Sequence, residues 1–146
     1  LDVQTSMMWP NADAGSDLIV KGIRQFQLNN PLPKLYAYKR LRGETFINLM
    51  RQADCFITNS SSGPSEACYF GTPVVNVGTR QNGRERGKNL VDAGYKKDEI
   101  VAAARRQLAH GKYEPEHLYG EPPVAKKMAE ILATVDLSKI QKRLTY

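Results

Sequence analysis

The chain has 146 residues, 41% hydrophobic and 25% charged, with a net charge of +6 at pH 7. That length and balance fit one globular domain with a sizeable core. No apolar run reaches the ~18 residues of a membrane span, and the aromatics are not interleaved with the basic residues as a nucleic-acid stacking surface requires, so neither partner is expected.

The opening stretch LDVQTSMMWP lacks the charged and apolar regions of a signal peptide. It does not begin with Met and enters a strand at once, so a cut point inside a longer protein is expected. Thr5 to Trp9 reads as a short buried strand. PNADAGS, Pro10 to Ser16, is a turn-rich loop ending in a helix cap. Apolar residues at 18, 19, 22/23 and 26 then predict a helix over Asp17 to Asn29, stopped by the pair Asn29-Asn30 with Pro31 and Pro33. Leu35 to Lys39 alternates like a strand and runs into Arg40. Glu44 to Ala53 follows as a helix with Phe46, Ile47, Leu49 and Met50 inward.

Cys55 to Thr58 is a continuous apolar run of the buried, parallel-sheet type. Pro64 to Phe70 is expected as a short helix, ended by Gly71 and Pro73. Val74 to Val77 is the next strand, and the polar loop Gly78 to Lys88 leads to a short strand, Asn89 to Val91. Helices are expected over Lys97 to His110, Pro123 to Thr134 and Leu137 to Arg143. Strands alternating with helices predict an α/β, Rossmann-like doubly wound parallel sheet. Such sheets bind ligands outside the carboxyl ends of their strands. Three polar loops fall there: PNADAGS, the serine run and GTRQNGRERGKN.

The serine loop is the most informative. Pro64 suits the first helical position, which makes Gly63 the cap and Glu66 the third helical residue. Free amides and a positive helix end then make an anion site, for which phosphate is the usual guest. Ser60, Ser61 and Ser62 add hydroxyl donors, and Gly63 permits close approach to the backbone. Glu66 has two readings. It is a capping-box acid, or an acceptor for the vicinal hydroxyls of a ribose. Arg80, Arg84, Arg86 and Lys88 are either a solvated basic surface or phosphate ligands. Asn11, Asp13 and Ser16 can equally build a turn and cap a helix. Cys55 and Cys68 read as buried reduced thiols, and His110 and His117 as surface or helix-end residues. No metal-ligand spacing occurs, and no cofactor is expected.

Taken together, WPNADAGS, NSSSGPSEACYFGTPVVNVGTRQNGRERGKN and HLYGE resemble the C-terminal domain of the UDP-N-acetylglucosamine 2-epimerases. The similarity is greatest to the hydrolysing branch, which makes N-acetylmannosamine for sialic acid synthesis. The resemblance implies one half of a glycosyltransferase-B type two-domain fold. Residues 1–146 would be the UDP-binding C-terminal domain of a cytoplasmic enzyme whose active site lies in the interdomain cleft, from a family whose members are often homodimers. The N-terminal domain, with the acids that move protons, would lie outside this chain. The implied reaction loses UDP from C1 and the proton from C2 of UDP-N-acetylglucosamine, and water adds to the resulting glycal.

By the same resemblance, Asn11 helps hold UDP, Ser60 and Ser61 bind the diphosphate, Glu66 takes the ribose hydroxyls and Arg80 joins the UDP site. Leu41 reads uracil through its backbone. Phe46 packs near the base or is a core residue of its helix. Ser62, Gly63 and Arg84 are secondary candidates. Lys21, Lys39 and Arg40 fall near a feedback site for CMP-sialic acid in animal members, where Asp17 stands in place of a lysine. YGEP departs from the family's YGDG, with Pro122 in place of a glycine, which stiffens the approach to the last helices. Two rivals stay open: a glycosyltransferase using the same half-fold, and a stand-alone nucleotide-binding regulatory module.

Overall fold

The computed structural model describes residues 3–12, 14–30 and 34–136. The chain divides into two compact units, Leu1–Leu49 and Met50–Tyr146. In the first, β1 (Thr5–Met8) and β2 (Leu35–Tyr38) pair in parallel, Thr5 opposite Leu35 through Met8 opposite Tyr38. Helix α1 (Ser16–Asn29) connects them as the 3.6-residue apolar spacing predicts. Its cap is Gly15, in the left-handed conformation at φ 84°, so Ser16 is the first helical residue and not the cap. β1 is also only half-buried, where a buried strand was expected. Helix α2 (Gly43–Gln52) carries the unit boundary and matches the expected span to within a residue.

The second unit holds β3 (Phe56–Thr58), α3 (Glu66–Tyr69), β4 (Val74–Val77), β5 (Leu90–Ala93), α4 (Lys97–His110) and α5 (Val124–Thr134). Its three strands form a parallel sheet in the order β3-β4-β5, with Val75 opposite both Ile57 and Val91. The apolar run of β4 is covered on both faces. Val75 packs with Ala103 and Ala104 of α4, joined by Cys55, Val77, Val91 and Ala93. On the other face, the space where a Gly63 side chain would start is bounded by Thr58 and Val74. Parallel strands with helical crossovers make the chain Rossmann-like α/β, as expected. Among the described residues the strands form two sheets rather than one continuous sheet.

One buried side chain ties α4 to the strands. Gln107 is fully buried, and its Nε2 donates to the carbonyls of Val74 and Asn89, both at 2.7 Å. Its Oε1 accepts from the Tyr113 hydroxyl at 2.7 Å. Gly71, at φ +60°, lies where any side chain would strike the Tyr113 carbonyl, and it accepts the Tyr113 N–H at 2.9 Å. The segment after α4 is thereby laid across the turn that ends α3. The expected helix over Leu137 to Arg143 lies outside the described residues. Among the described residues no helix is long and apolar enough to cross a membrane.

Candidate functional site

The serine loop leaves β3 through a set of short internal bonds. Ser60 N–H donates to Thr58 Oγ1 at 3.0 Å, and the Ser60 and Ser62 hydroxyls share a hydrogen bond of 2.9 Å. The Ser65 amide donates to Ser61 O at 2.9 Å, and the Glu66 and Ala67 amides donate to Ser62 O at 3.2 and 2.9 Å. The expected helix start is therefore corrected. Residues 61–65 are turns, the cap is Ser65, and Glu66 is the first residue of a four-residue helix. Helical turns that consume these amides leave little of the free helix end anticipated at Gly63. The Ser61 N–H makes no hydrogen bond among the described residues and keeps its donor capacity.

The shift also changes Glu66. A capping-box acid must sit at the third helical position and bond back to the cap. Glu66 sits at the first, is exposed, and its carboxylate makes no hydrogen bond or ion pair among the described residues. Its two carboxylate oxygens thus remain available as acceptors. Gly63 has a packing reason for being glycine. It is buried, and an added Cβ would come within 3.0 Å of Thr58 Cγ2 and 3.2 Å of Val74 Cγ1. Its missing side chain lets the loop settle onto β3 and β4.

The loop after β4 reaches the start of the serine loop at the Asn59 carbonyl oxygen. Arg80 Nη1 donates to it at 3.3 Å and Gln81 Nε2 at 2.8 Å. The remaining basic residues divide their roles. Arg86 is bound to Asp92 of β5 and to the carbonyls of Gln81 and Arg84, at 2.8 and 3.3 Å. Arg84 is exposed, and its side chain has no partner among the described residues. The Lys88 amide donates to Glu116, and the Tyr119 hydroxyl donates to Glu85 O at 2.8 Å, so the HLYGE segment packs along the same loop. Thr79 N–H donates to Tyr95 Oη at 3.3 Å, and hydrogen bonding from Thr79 holds that phenol below its ordinary pKa.

Ser60, Ser61, Ser62, Gly63, Glu66, Arg80 and Arg84 thus share one end of the β3-β4-β5 sheet. Asn11, Leu41 and Phe46 belong to the other unit. Asn11 is exposed just beyond β1, Leu41 is half-buried before α2, and Phe46 is half-buried within α2. Lys21 and Arg40 are exposed. Lys39 Nζ lies 5.8 Å and Arg24 Cζ 5.3 Å from the centre of the Trp9 ring. Asp13 lies outside the described residues. Among the described residues no three His, Cys, Asp or Glu side chains are grouped to hold a metal ion. Sequence reasoning missed Asn59, Gln81 and Asp92. A neutral glutamine directly after Arg80 in a basic loop is the one local signal that could have drawn attention.

The whole site falls within a match to a family described as UDP-N-acetylglucosamine 2-epimerase, over residues 1–133. A UDP-N,N'-diacetylbacillosamine 2-epimerase (hydrolyzing) of Legionella pneumophila is 33% identical over 136 residues, 93% of this chain and 35% of that protein. A UDP-N-acetylglucosamine 2-epimerase of Neisseria meningitidis is 31% identical over 112 residues, 77% of this chain and 29% of that protein. A GDP/UDP-N,N'-diacetylbacillosamine 2-epimerase (hydrolyzing) of Campylobacter jejuni is 39% identical over 84 residues, 57% of this chain and 21% of that protein. In the first two cases the chain spans about a third of its relative's length. By the family match and by these relatives, the chain belongs to the UDP-N-acetylglucosamine 2-epimerase family.

Proposed function

We propose that this chain is the UDP-binding C-terminal part of a hydrolysing UDP-N-acetylglucosamine 2-epimerase, which releases UDP and N-acetylmannosamine. The observation that carries the reading is the meeting of Arg80 and the serine loop at the Asn59 carbonyl, at the carboxyl ends of adjacent strands. That arrangement sets hydroxyls, one unbonded amide and a guanidinium at a shared edge. Ser60, Ser61 and Arg80 hold the diphosphate, with Ser62 and Arg84 at its margin. Glu66 takes the ribose hydroxyls through two free oxygens. For Asn11, Leu41 and Phe46 a role in UDP binding rests on family membership alone.

As the C1–O bond breaks, negative charge grows on the departing diphosphate. Donors fixed in place before the reaction stabilise that charge without reorganising. The proton at C2 is moved by groups outside this chain, so the chain alone binds UDP and does not turn over substrate. The names of the Legionella and Neisseria relatives share UDP and differ in the sugar, which suits a chain whose contacts are to the nucleotide. Calorimetric titration with UDP, paired with an assay for N-acetylmannosamine, tests this. Saturable binding without turnover is expected. Release of N-acetylmannosamine by the chain alone overturns the division of labour.

A further inference from the structure

Gln81 holds a position that the phosphate ligands do not explain. Its side chain is 3% exposed, and its Nε2 donates to the same Asn59 oxygen that Arg80 reaches. Its backbone carbonyl accepts from Arg86 Nη2 at 2.8 Å. Arg86 is held by Asp92, which also accepts from Asn76 Nδ2 at 2.8 Å. A continuous line of bonds therefore runs from β5 through Arg86 and Gln81 to the residue that opens the serine loop. Yet Gln81 Oε1 is buried and has no hydrogen-bond partner among the described residues. For stability alone that is a poor choice, because a buried acceptor left unpaired carries its full desolvation penalty and an apolar isostere would avoid it.

We propose that Gln81 is a positioning residue for the diphosphate. By fixing the Asn59 carbonyl it sets the spacing between Ser60–Ser62 and Arg80, and it touches no ligand itself. The inference rests on the UDP reading above for its ligand, but not for its structural half. Gln81→Met removes the donor and the orphaned acceptor together at similar length. The thermal midpoint should then stay within about 2–4 °C of the parent chain, the shift of roughly one net interaction at this size. UDP should bind about five- to tenfold more weakly, the effect of one hydrogen bond. Combined with Ser60→Ala, the loss should be less than the sum of the two, because both act on one loop. Amide hydrogen exchange of the ligand-free chain should speed up about five- to tenfold at Ser60, Ser62 and Gly63, with β4 unchanged.

Gln81→Asn keeps the amide but shortens its reach by one methylene, and it should give the same loosening. A fall in midpoint with unchanged loop exchange overturns the proposal. So does a loosened loop with unchanged UDP affinity, or additive losses in the double variant. Loss of the fold in both variants overturns it too, since Gln81 would then serve the core. If the parent chain binds no UDP, the functional reading fails, and loop exchange alone still decides whether Gln81 orders the serine loop.

Discussion

Nη1 of Arg86 lies 2.8 and 2.7 Å from the two carboxylate oxygens of Asp92. This contact sorts the basic loop by role. A guanidinium committed to one carboxylate and two backbone carbonyls is bracing the loop, not waiting for an anion. Arg86→Ala should therefore cost stability before it costs affinity. With Asp92 57% exposed, the pair is discounted to about 1–2 kcal/mol, charge-assisted but partly screened. Urea denaturation of the two chains checks it, and an unchanged midpoint would show the brace to be idle.

Glu66 gives the opposite pattern. Its carboxylate has no partner among the described residues, so Glu66→Gln should change stability by no more than about 0.5 kcal/mol. UDP affinity should fall about tenfold, as a charged acceptor loses strength when neutralised. Titration with UDP beside 2′-deoxy-UDP reads the role directly. The variant should bind the two ligands more nearly alike than the parent does, and an undiminished preference for UDP would remove the ribose from Glu66.

Gln107 is fully buried and its side chain makes three hydrogen bonds. Gln107→Leu leaves the Tyr113 hydroxyl without its acceptor and strips a donor from two carbonyls. About 2–4 kcal/mol of stability should be lost in chemical denaturation, from buried polar groups left short of partners. UDP affinity, measured below the transition, should be unchanged.

Burial, with a smaller contribution from Asp54, pushes the Cys55 thiol up from 9.0 to about 11. Between those values the unfolded chain has released the Cys55 proton while the folded chain still holds it. Raising the pH through that window therefore favours unfolding. Lys112, lowered chiefly by burial, works with the opposite sign, so the informative quantity is the difference between the parent and Cys55→Ala. The parent should lose more stability than the variant between pH 9 and about 11. Parallel curves would contradict the burial argument.

Much of this was legible in the sequence, and the parts that were not share a cause. Period and punctuation located β2, α2, β4 and α4 to within a residue or so, because apolar spacing and Gly or Pro stops are local. The helix after the serines was expected too early. Pro64 and Gly63 look like a first turn and its cap, but Ser61 and Ser62 carbonyls take the amides first and delay the helix to Glu66. The arginines could be picked out by type but not separated. Which one braces and which one faces the sheet edge depends on Asp92 and Asn59, each brought in from another strand end. Gln81 was hidden for the same reason. Glu66 moved the other way, since its structural reading failed once its helical position was known.

The proposed diphosphate site at the β3 and β4 loop ends is open to direct measurement. Its most direct test is a two-dimensional NMR titration of the chain with UDP, repeated with Arg80→Ala. Saturable shifts are expected at Ser60, Ser61, Glu66 and Arg80, with binding about tenfold weaker or more in the variant, as when a charged phosphate ligand is removed. No saturation at millimolar UDP, or saturable shifts that spare the serine loop and survive Arg80→Ala, would contradict the account.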